Sequence, residues 1–211
     1  MSNFFGSTRQ IYDQIGLDFS RTRSKMWPVI LPLLEIIKPS DSILDLGCGN
    51  GRLLTALTHP QQYLGIDFSE TLLLEAEKLH PHHLFRRGDL TDPATFDTLD
   101  KYDYVFCLAV LHHLDLDQQN VLLQRLKKLR GKIILSVWDL TKTQYKPLDS
   151  NPNHVLIPFK GIDRPCYIHT EDTLRRLILS AGFNIDFFSQ KDGNFLAIIK
   201  NNAQHTNSNR T

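Results

Sequence analysis

The sequence predicts an α/β fold: a doubly wound, mostly parallel seven-stranded sheet ending in an antiparallel hairpin. Three observations carry this expectation. From residue 42 onward short apolar runs alternate with amphipathic stretches of helical length, and such alternation denotes βαβ units on a parallel sheet. A glycine-rich turn, Gly47 to Gly51, follows the first run directly. Near the end, Lys191-Asp192-Gly193 separates two strand-like runs, and Asp-Gly is a strong hairpin signal.

Taken in order, Ile11, Ile15 and Phe19, then Ile30, Leu34 and Ile37 after Pro28 and Pro32, recur at helical spacing. Residues 11–37 therefore read as helical, within an N-terminal helical segment spanning 1–38. Residues 42–47 read as a strand, 52–59 as a helix and 63–67 as a strand, after which Ser69 N-caps a helix reaching about Leu79. Residues 83–89 are strand-like and Pro93–Leu99 a short helix. Residues 102–110 form a strand, Asp117–Leu129 a basic amphipathic helix stopped by Gly131, and 132–139 the next strand. The stretch 139–169, with four prolines, reads as an irregular insertion on the substrate side, since long loops are commonly functional. Thr170 caps a helix ending at Gly182, and 184–190 with 194–200 form the hairpin. One domain, 1–200, is expected, with 201–211 a disordered polar tail.

Composition narrows the function classes. With 211 residues, 41% apolar and 22% charged, the chain can bury a sizeable core. No apolar run approaches the roughly 20 residues that span a bilayer, and the opening MSNFFGSTRQ does not resemble a secretory signal. Cys48, Cys107 and Cys166 show no CxxC spacing, so a reducing, cytoplasmic setting is expected and a metal site is not. A net charge of +1 argues against nucleic-acid binding by bulk electrostatics. The clusters Arg21/Arg23/Lys25 and Arg125 to Lys132 read most simply as solvated helix faces.

The sharpest chemical signal is Asp45-Leu-Gly-Cys-Gly-Asn-Gly51. Glycines 47, 49 and 51 let the backbone turn tightly and approach a ligand. Dinucleotide enzymes also use a glycine-rich turn here, but as G-x-G-x-x-G; this chain has G-x-G-x-G. Asp45 suits a positively charged amino or sulfonium group. Asp67, ending the next strand, is placed to accept from ribose hydroxyls. Asp89 can take an adenine amino group with Leu90 near the ring, and Cys107 to Ala109, Leu108 among them, end the fourth strand. Each of these lies at a strand's carboxyl end, where open α/β sheets bind ligands.

This motif order resembles the class I S-adenosylmethionine-dependent methyltransferases, with their Rossmann-like sheet, over about residues 40–200. A narrower resemblance rests on Ile11-Tyr12-Asp13-Gln14-Ile15, Phe19 to Arg23, Trp27-Pro28, Ala109-Val110-Leu111-His112-His113-Leu114 and Val137-Trp138. These stretches are similar to the tRNA wobble-uridine carboxymethyl methyltransferases and their bacterial relatives. The resemblance implies S-adenosylmethionine as cofactor, with Tyr12, Arg23, Asn50 and Phe68 joining the strand-end residues that bind it. It also implies a tRNA carboxymethyl group as methyl acceptor, for which His112, His113 and Arg164 are the catalytic candidates. A carboxylate is already an ionised nucleophile at neutral pH, so alignment matters more than a general base.

Where the family carries Arg-Tyr-Tyr-His before the last helix, this chain reads Arg164-Pro165-Cys166-Tyr167, with His169 two residues beyond the family's histidine. A small-metabolite acceptor and a catalytically silent cofactor-binding scaffold stay open as alternatives. Eukaryotic members work with a small zinc-binding partner along a strand edge. Here the third strand carries Arg86 and Arg87, and edge charges discourage strand pairing, so no obligate protein partner is expected.

Overall fold

The structure, a computed structural model, describes residues 8–22, 25–58 and 62–202. In chain order it contains α1 (Thr8–Thr22), α2 (Leu31–Leu34), β1 (Ser42–Leu46), β2 (Gln62–Asp67), α3 (Glu70–Leu79), β3 (Leu84–Arg87), β4 (Lys101–Leu108) and α4 (Leu116–Leu126). There follow β5 (Arg130–Trp138), β6 (Lys146–Pro147), β7 (His154–Phe159), β8 (Ile162–Tyr167), α5 (Glu171–Ser180), β9 (Phe183–Lys191) and β10 (Asn194–Asn201). Seven strands form one sheet in the order β3-β2-β1-β4-β5-β10-β9. All its pairings are parallel except those of β10 with β5 and β9, as the sequence predicts.

Alternation along each strand builds a core on each face. In β1 and β4, Leu44, Leu46, Val105 and Cys107 point to one side, where they pack with Leu122, Leu123 and Leu126 of α4 and Leu174 and Ile178 of α5. Ile43 and Phe106 point to the other, against Ile30, Leu34, Leu53 and Leu54. Helices are held by the expected caps: Ser69 Oγ accepts from Leu72 N–H, and Thr170 forms a reciprocal box with Thr173. Asp115 does the same with Gln118 and starts α4 one residue before the expected position.

Three expectations are corrected. The helix expected over 11–37 is interrupted: α1 ends at Thr22 and α2 is only four residues. Pro28 and Pro32 cannot donate to a continuous helical ladder, and the chain instead turns through Ile30 N–H to Trp27 C=O (3.0 Å). The helix expected over 52–59 is a 3-10 turn, Arg52–Thr55, entered from a left-handed Gly51 (φ 74°). Its bonds run i→i+3, as in Leu54 N–H to Gly51 C=O at 3.0 Å.

The third correction concerns 139–169, which is not irregular but carries the antiparallel sheet β6-β7-β8. Its hairpin turn is Lys160-Gly161 with φ of 48° and 83°, positive at both central positions as a type I′ turn requires. Prolines 147, 158 and 165 sit within these three strands, which hides their pattern in the sequence. The expected tail at 203–211 lies outside the described residues, whereas Asn201 ends β10.

Candidate functional site

A cavity of about 440 Å³ opens at the carboxyl ends of β1, β2 and β4, within the range of small-ligand sites. Its floor is the glycine turn after β1. Gly47 and Cys48 N–H groups both donate to Ile66 C=O (2.7 and 3.1 Å), fastening the turn to β2. Gly47 has φ of 75°, and a Cβ there would fall 2.3 Å from Val110 Cγ2, so only glycine lets the turn meet the segment after β4. Asp67 closes the other side: one carboxylate oxygen accepts from Gly49 N–H and the other from Ser69 N–H, both at 2.9 Å. Burial outweighs these donors and raises its pKa to about 6. Asn50 lines the cavity and ties the turn to α1 by donating to Ser20 Oγ at 2.9 Å.

Most of the expected binding residues converge here. Tyr12, Gly47, Gly49, Asn50, Asp67, Phe68, Asp89, Leu90, Leu108 and His113 all line the cavity. Asp89 is held in orientation by Thr91, whose N–H and Oγ donate to it at 2.8 and 2.7 Å. Leu90 is held from behind, because Arg125 donates to its carbonyl at 2.8 Å while lying over Phe96. One member of the basic cluster is thus structural.

Four expected residues behave otherwise. Asp45 does not line the cavity. It shares the face of Ile43, accepts from Tyr63 Oη at 2.8 Å, and burial raises its pKa to about 7. Gly51 also lies outside the lining; its φ is 74°, and a Cβ there would meet His80 Cδ2 at 2.8 Å. His112 is fully buried behind the cavity, where its Nδ1 accepts from Trp138 N–H at 3.4 Å. Arg23 lies outside the described residues. Sequence reasoning missed Trp27 and Arg52, which both line the cavity with the guanidinium 3.9 Å over the indole centroid. Trp138, at the end of β5, lines it too. Trp27 and Trp138 stood in stretches already singled out, which was the available signal.

Tyr12 and His113 give the cavity a second chemistry, with Arg164 behind them. Tyr12 Oη lies 2.9 Å from His113 Nε2, and Arg164 Nη1 is 3.5 Å from the same hydroxyl. With the guanidinium facing the phenolic oxygen, the phenol donates to Nε2 and His113 keeps its proton on Nδ1, 3.4 Å from Pro165 C=O. That tautomer is assigned from the network. Burial, reinforced by Arg164, lowers the His113 pKa to about 3, so the ring is neutral at pH 7. Burial raises Tyr12 to about 12, so the phenol keeps its proton.

Arg164 sits on β8, not in an open loop, and is 3% exposed. Its guanidinium lies 5.0 Å from the Trp138 centroid and 5.1 Å from that of Phe159, and its Nε has no hydrogen-bond partner. Among the described residues no carboxylate pairs with it. A buried charge without a counter-ion is costly. His112, His113 and Cys166 could also bring ligand atoms within 4.8 Å of one another. Both His113 nitrogens are engaged, however, and the neighbouring guanidinium disfavours a cation there.

Known proteins resemble this chain in sequence and in fold. Residues 44–130 match the family model described as a methyltransferase domain. The chain is 33% identical, over 62% of its own length, to the tRNA (carboxymethyluridine(34)-5-O)-methyltransferase of Saccharomyces cerevisiae, of which it spans 47%. It is 28% identical, over 71% of its length, to the enzyme of that name from Schizosaccharomyces pombe, spanning 66% of it. The chain therefore covers less than two thirds of either relative. Among solved structures, the PH0226 protein of Pyrococcus horikoshii superposes with a TM-score of 0.68 at 20% identity, covering 87% of this chain and 91% of that one. Magnesium protoporphyrin IX methyltransferase of Synechocystis, crystallised with S-adenosylhomocysteine, gives 0.62 at 18% identity, covering 92% and 97%. The fold is that of the S-adenosylmethionine-dependent methyltransferases.

Proposed function

We propose that this chain is an S-adenosylmethionine-dependent methyltransferase that esterifies a carboxylate, that of a carboxymethyl group on the wobble uridine of tRNA. The observation that carries the reading is Arg164, a buried cation lacking a counter-ion immediately behind Tyr12 and His113. An anionic acceptor supplies the missing charge. The other residues of the cavity fit the cofactor: a turn that a Cβ at Gly47 would obstruct, a buried Asp67 for ribose hydroxyls, and Asp89 with Leu90 for adenine. When bound, the cofactor supplies an electrophilic methyl group.

The protein's own task is then to bind and orient the acceptor. An incoming carboxylate is a stronger acceptor than His113 Nε2 and takes over the phenolic hydrogen bond of Tyr12. Arg164 lies behind that oxygen and favours the anion. The neutral imidazole accords with an acceptor that is already ionised and needs no general base. The relatives' names carry the tRNA assignment. The net charge of +1 favours the second reading, a small carboxylate metabolite. We read the chain as acting alone, with β3 at the sheet edge and Arg86 there bonded to Thr95 C=O and Thr98 Oγ (both 2.7 Å). Three buried free thiols accord with a reducing, cytoplasmic setting, and no helix among the described residues is long and apolar enough to cross a membrane.

The test is transfer of label from methyl-labelled S-adenosylmethionine, by the purified chain alone, to an anticodon stem-loop carrying 5-carboxymethyluridine. Label released by mild base, as from an ester, and absent with unmodified uridine is the expected result. Label entering only a pool of small carboxylates would transfer the assignment to the second reading.

A further inference from the structure

A second cavity, of about 430 Å³, lies between the end of β8, the Asn151–Asn153 turn and α5. Tyr167, Leu177, Asn151, Asn153, His169 and Arg176 line it, and none of these residues enters the reading above. His169 is only 4% exposed, and its Nε2 has no hydrogen-bond partner. The groove is otherwise well built. His154 stacks on Tyr167 with centroids 4.2 Å apart and planes 8° from parallel, which fixes the phenol ring. Ile168 N–H donates to Asn153 C=O at 2.7 Å, which holds the asparagine turn against β8. Arg176 bonds through Nε to the carbonyl of Asp172 at 3.3 Å, and among the described residues no carboxylate pairs with it.

We propose that this groove binds an unpaired RNA nucleotide flanking the one whose carboxylate is methylated. The inference rests on the RNA reading above. A nucleobase needs a flat apolar wall and donors and acceptors for its edge, as single-stranded RNA recognition generally provides. Tyr167 and Leu177 supply the wall, Asn151, Asn153 and the neutral His169 the edge contacts, and Arg176 at the rim a phosphate contact. Among the described residues no acidic side chain lines the groove, and of the two carboxylates near Tyr167, Asp115 and Asp149, the second is bonded to His154 at 2.7 Å.

Position supports the same occupant. Cys166 Sγ is 3.3 Å from His113 Nδ1 at the reaction centre, and the next residues of the chain, Tyr167 to His169, line the groove. At about 3.3 Å per extended residue, the two sites lie on the order of 10 Å apart along one stretch of backbone. Strand alternation turns Tyr167 away from Cys166, so the groove adjoins the reaction centre across β8, and a flexible single strand reaches both by passing round the strand end.

Two substitutions on the exposed side of α5 test this: Arg176→Ala removes the cation, and Ser180→Trp fills the slot without altering charge. Affinity is read by fluorescence anisotropy with a labelled anticodon-loop RNA at one fixed salt concentration. In parallel, methylation of free 5-carboxymethyluridine nucleoside is measured. Each variant should bind the RNA about 10-fold more weakly, the scale of one lost stacking or phosphate contact, and methylate the nucleoside as the parent does. RNA affinity unchanged in both variants overturns the proposal, as does a parent chain that binds no RNA. Parallel loss of RNA binding and nucleoside methylation also overturns it, by assigning the groove to the reaction centre. If the parent binds RNA through the groove but methylates no carboxymethyluridine, the proposed reaction falls and the groove stands.

Discussion

In the proposed role Asp67 is under two opposed demands: burial disfavours its charge, while the ribose hydroxyls assigned to it call for that charge. Its folded pKa, about 6, lies above the ordinary carboxylate value of 3.8, so the folded chain holds a proton that the unfolded chain releases between those values. Stability from this group is present at low pH and is lost as pH rises through about 6. If the proposed ribose contact holds, its hydroxyls donate to the ionised form, so cofactor affinity should run the other way and fall as pH drops below about 6. Calorimetry with S-adenosylhomocysteine should show about a tenfold weakening from pH 7 to 5, and Asp67→Asn should abolish that dependence. Arg164 poses a similar conflict. Replacing it with methionine removes an uncompensated buried charge while keeping a long side chain, so Arg164→Met should raise stability by about 1–4 kcal/mol in urea denaturation and abolish methyl transfer. Arg164→Lys keeps the charge but loses the planar fork, and should cut turnover strongly with cofactor affinity near that of the parent. Position at strand ends placed Asp67 and Asp89, and the resemblance after the fourth strand placed His113, among the residues that line the cavity. Asp45 was misplaced because strand periodicity puts it on the face of Ile43, toward Tyr63, not at the mouth of the site.

Elements were legible where one period dominated. β1, β2, β4, β5 and the final hairpin are apolar runs with clear stops, and Ser69 and Thr170 signal their helices by capping. The β6-β7-β8 sheet was not legible, because Pro147, Pro158 and Pro165 suggest loop, whereas antiparallel edges and strand ends tolerate them. The Lys160-Gly161 turn was the overlooked sign. The glycine turn offers an element-scale test, since its shape depends on Val110. Gly47→Ala meets a backbone cost of roughly 1–2 kcal/mol for a left-handed residue with a Cβ, together with the overlap on Val110 Cγ2 at 2.3 Å. Adding Val110→Ala should remove the overlap and leave the backbone cost. Urea denaturation should therefore show the double variant more stable than the sum of the two single effects, a coupling that vanishes if the turn and the segment after β4 move independently.

At the scale of the whole molecule, the strand order places the cavity where the winding reverses. From β1 the chain builds outward through β2 and β3, then returns to lay β4 and β5 on the other side. The crevice between β1 and β4 is where such sheets bind their ligands. The same topology serves dinucleotides, so the element after the glycine turn decides between them. Dinucleotide sites hold a pyrophosphate at the N-terminus of an α-helix, using its free N–H groups and dipole. Here the turn leads into four residues of 3-10 conformation, Arg52–Thr55, and the mouth beside it is occupied by Trp27 under Arg52. That arrangement offers no helix terminus to two phosphates, while an adenosine needs only the acceptors proposed at Asp67 and Asp89. S-adenosylhomocysteine at about 100 times its dissociation constant should stabilise the fold by about 2.7 kcal/mol. For a chain of this size that corresponds to a rise in melting temperature of roughly 5–11 °C. NAD at the same concentration should leave the transition where it is. A rise with NAD and none with S-adenosylhomocysteine would mean that the 3-10 turn rearranges to receive a pyrophosphate, and the methyltransferase reading of the cavity would have to be withdrawn.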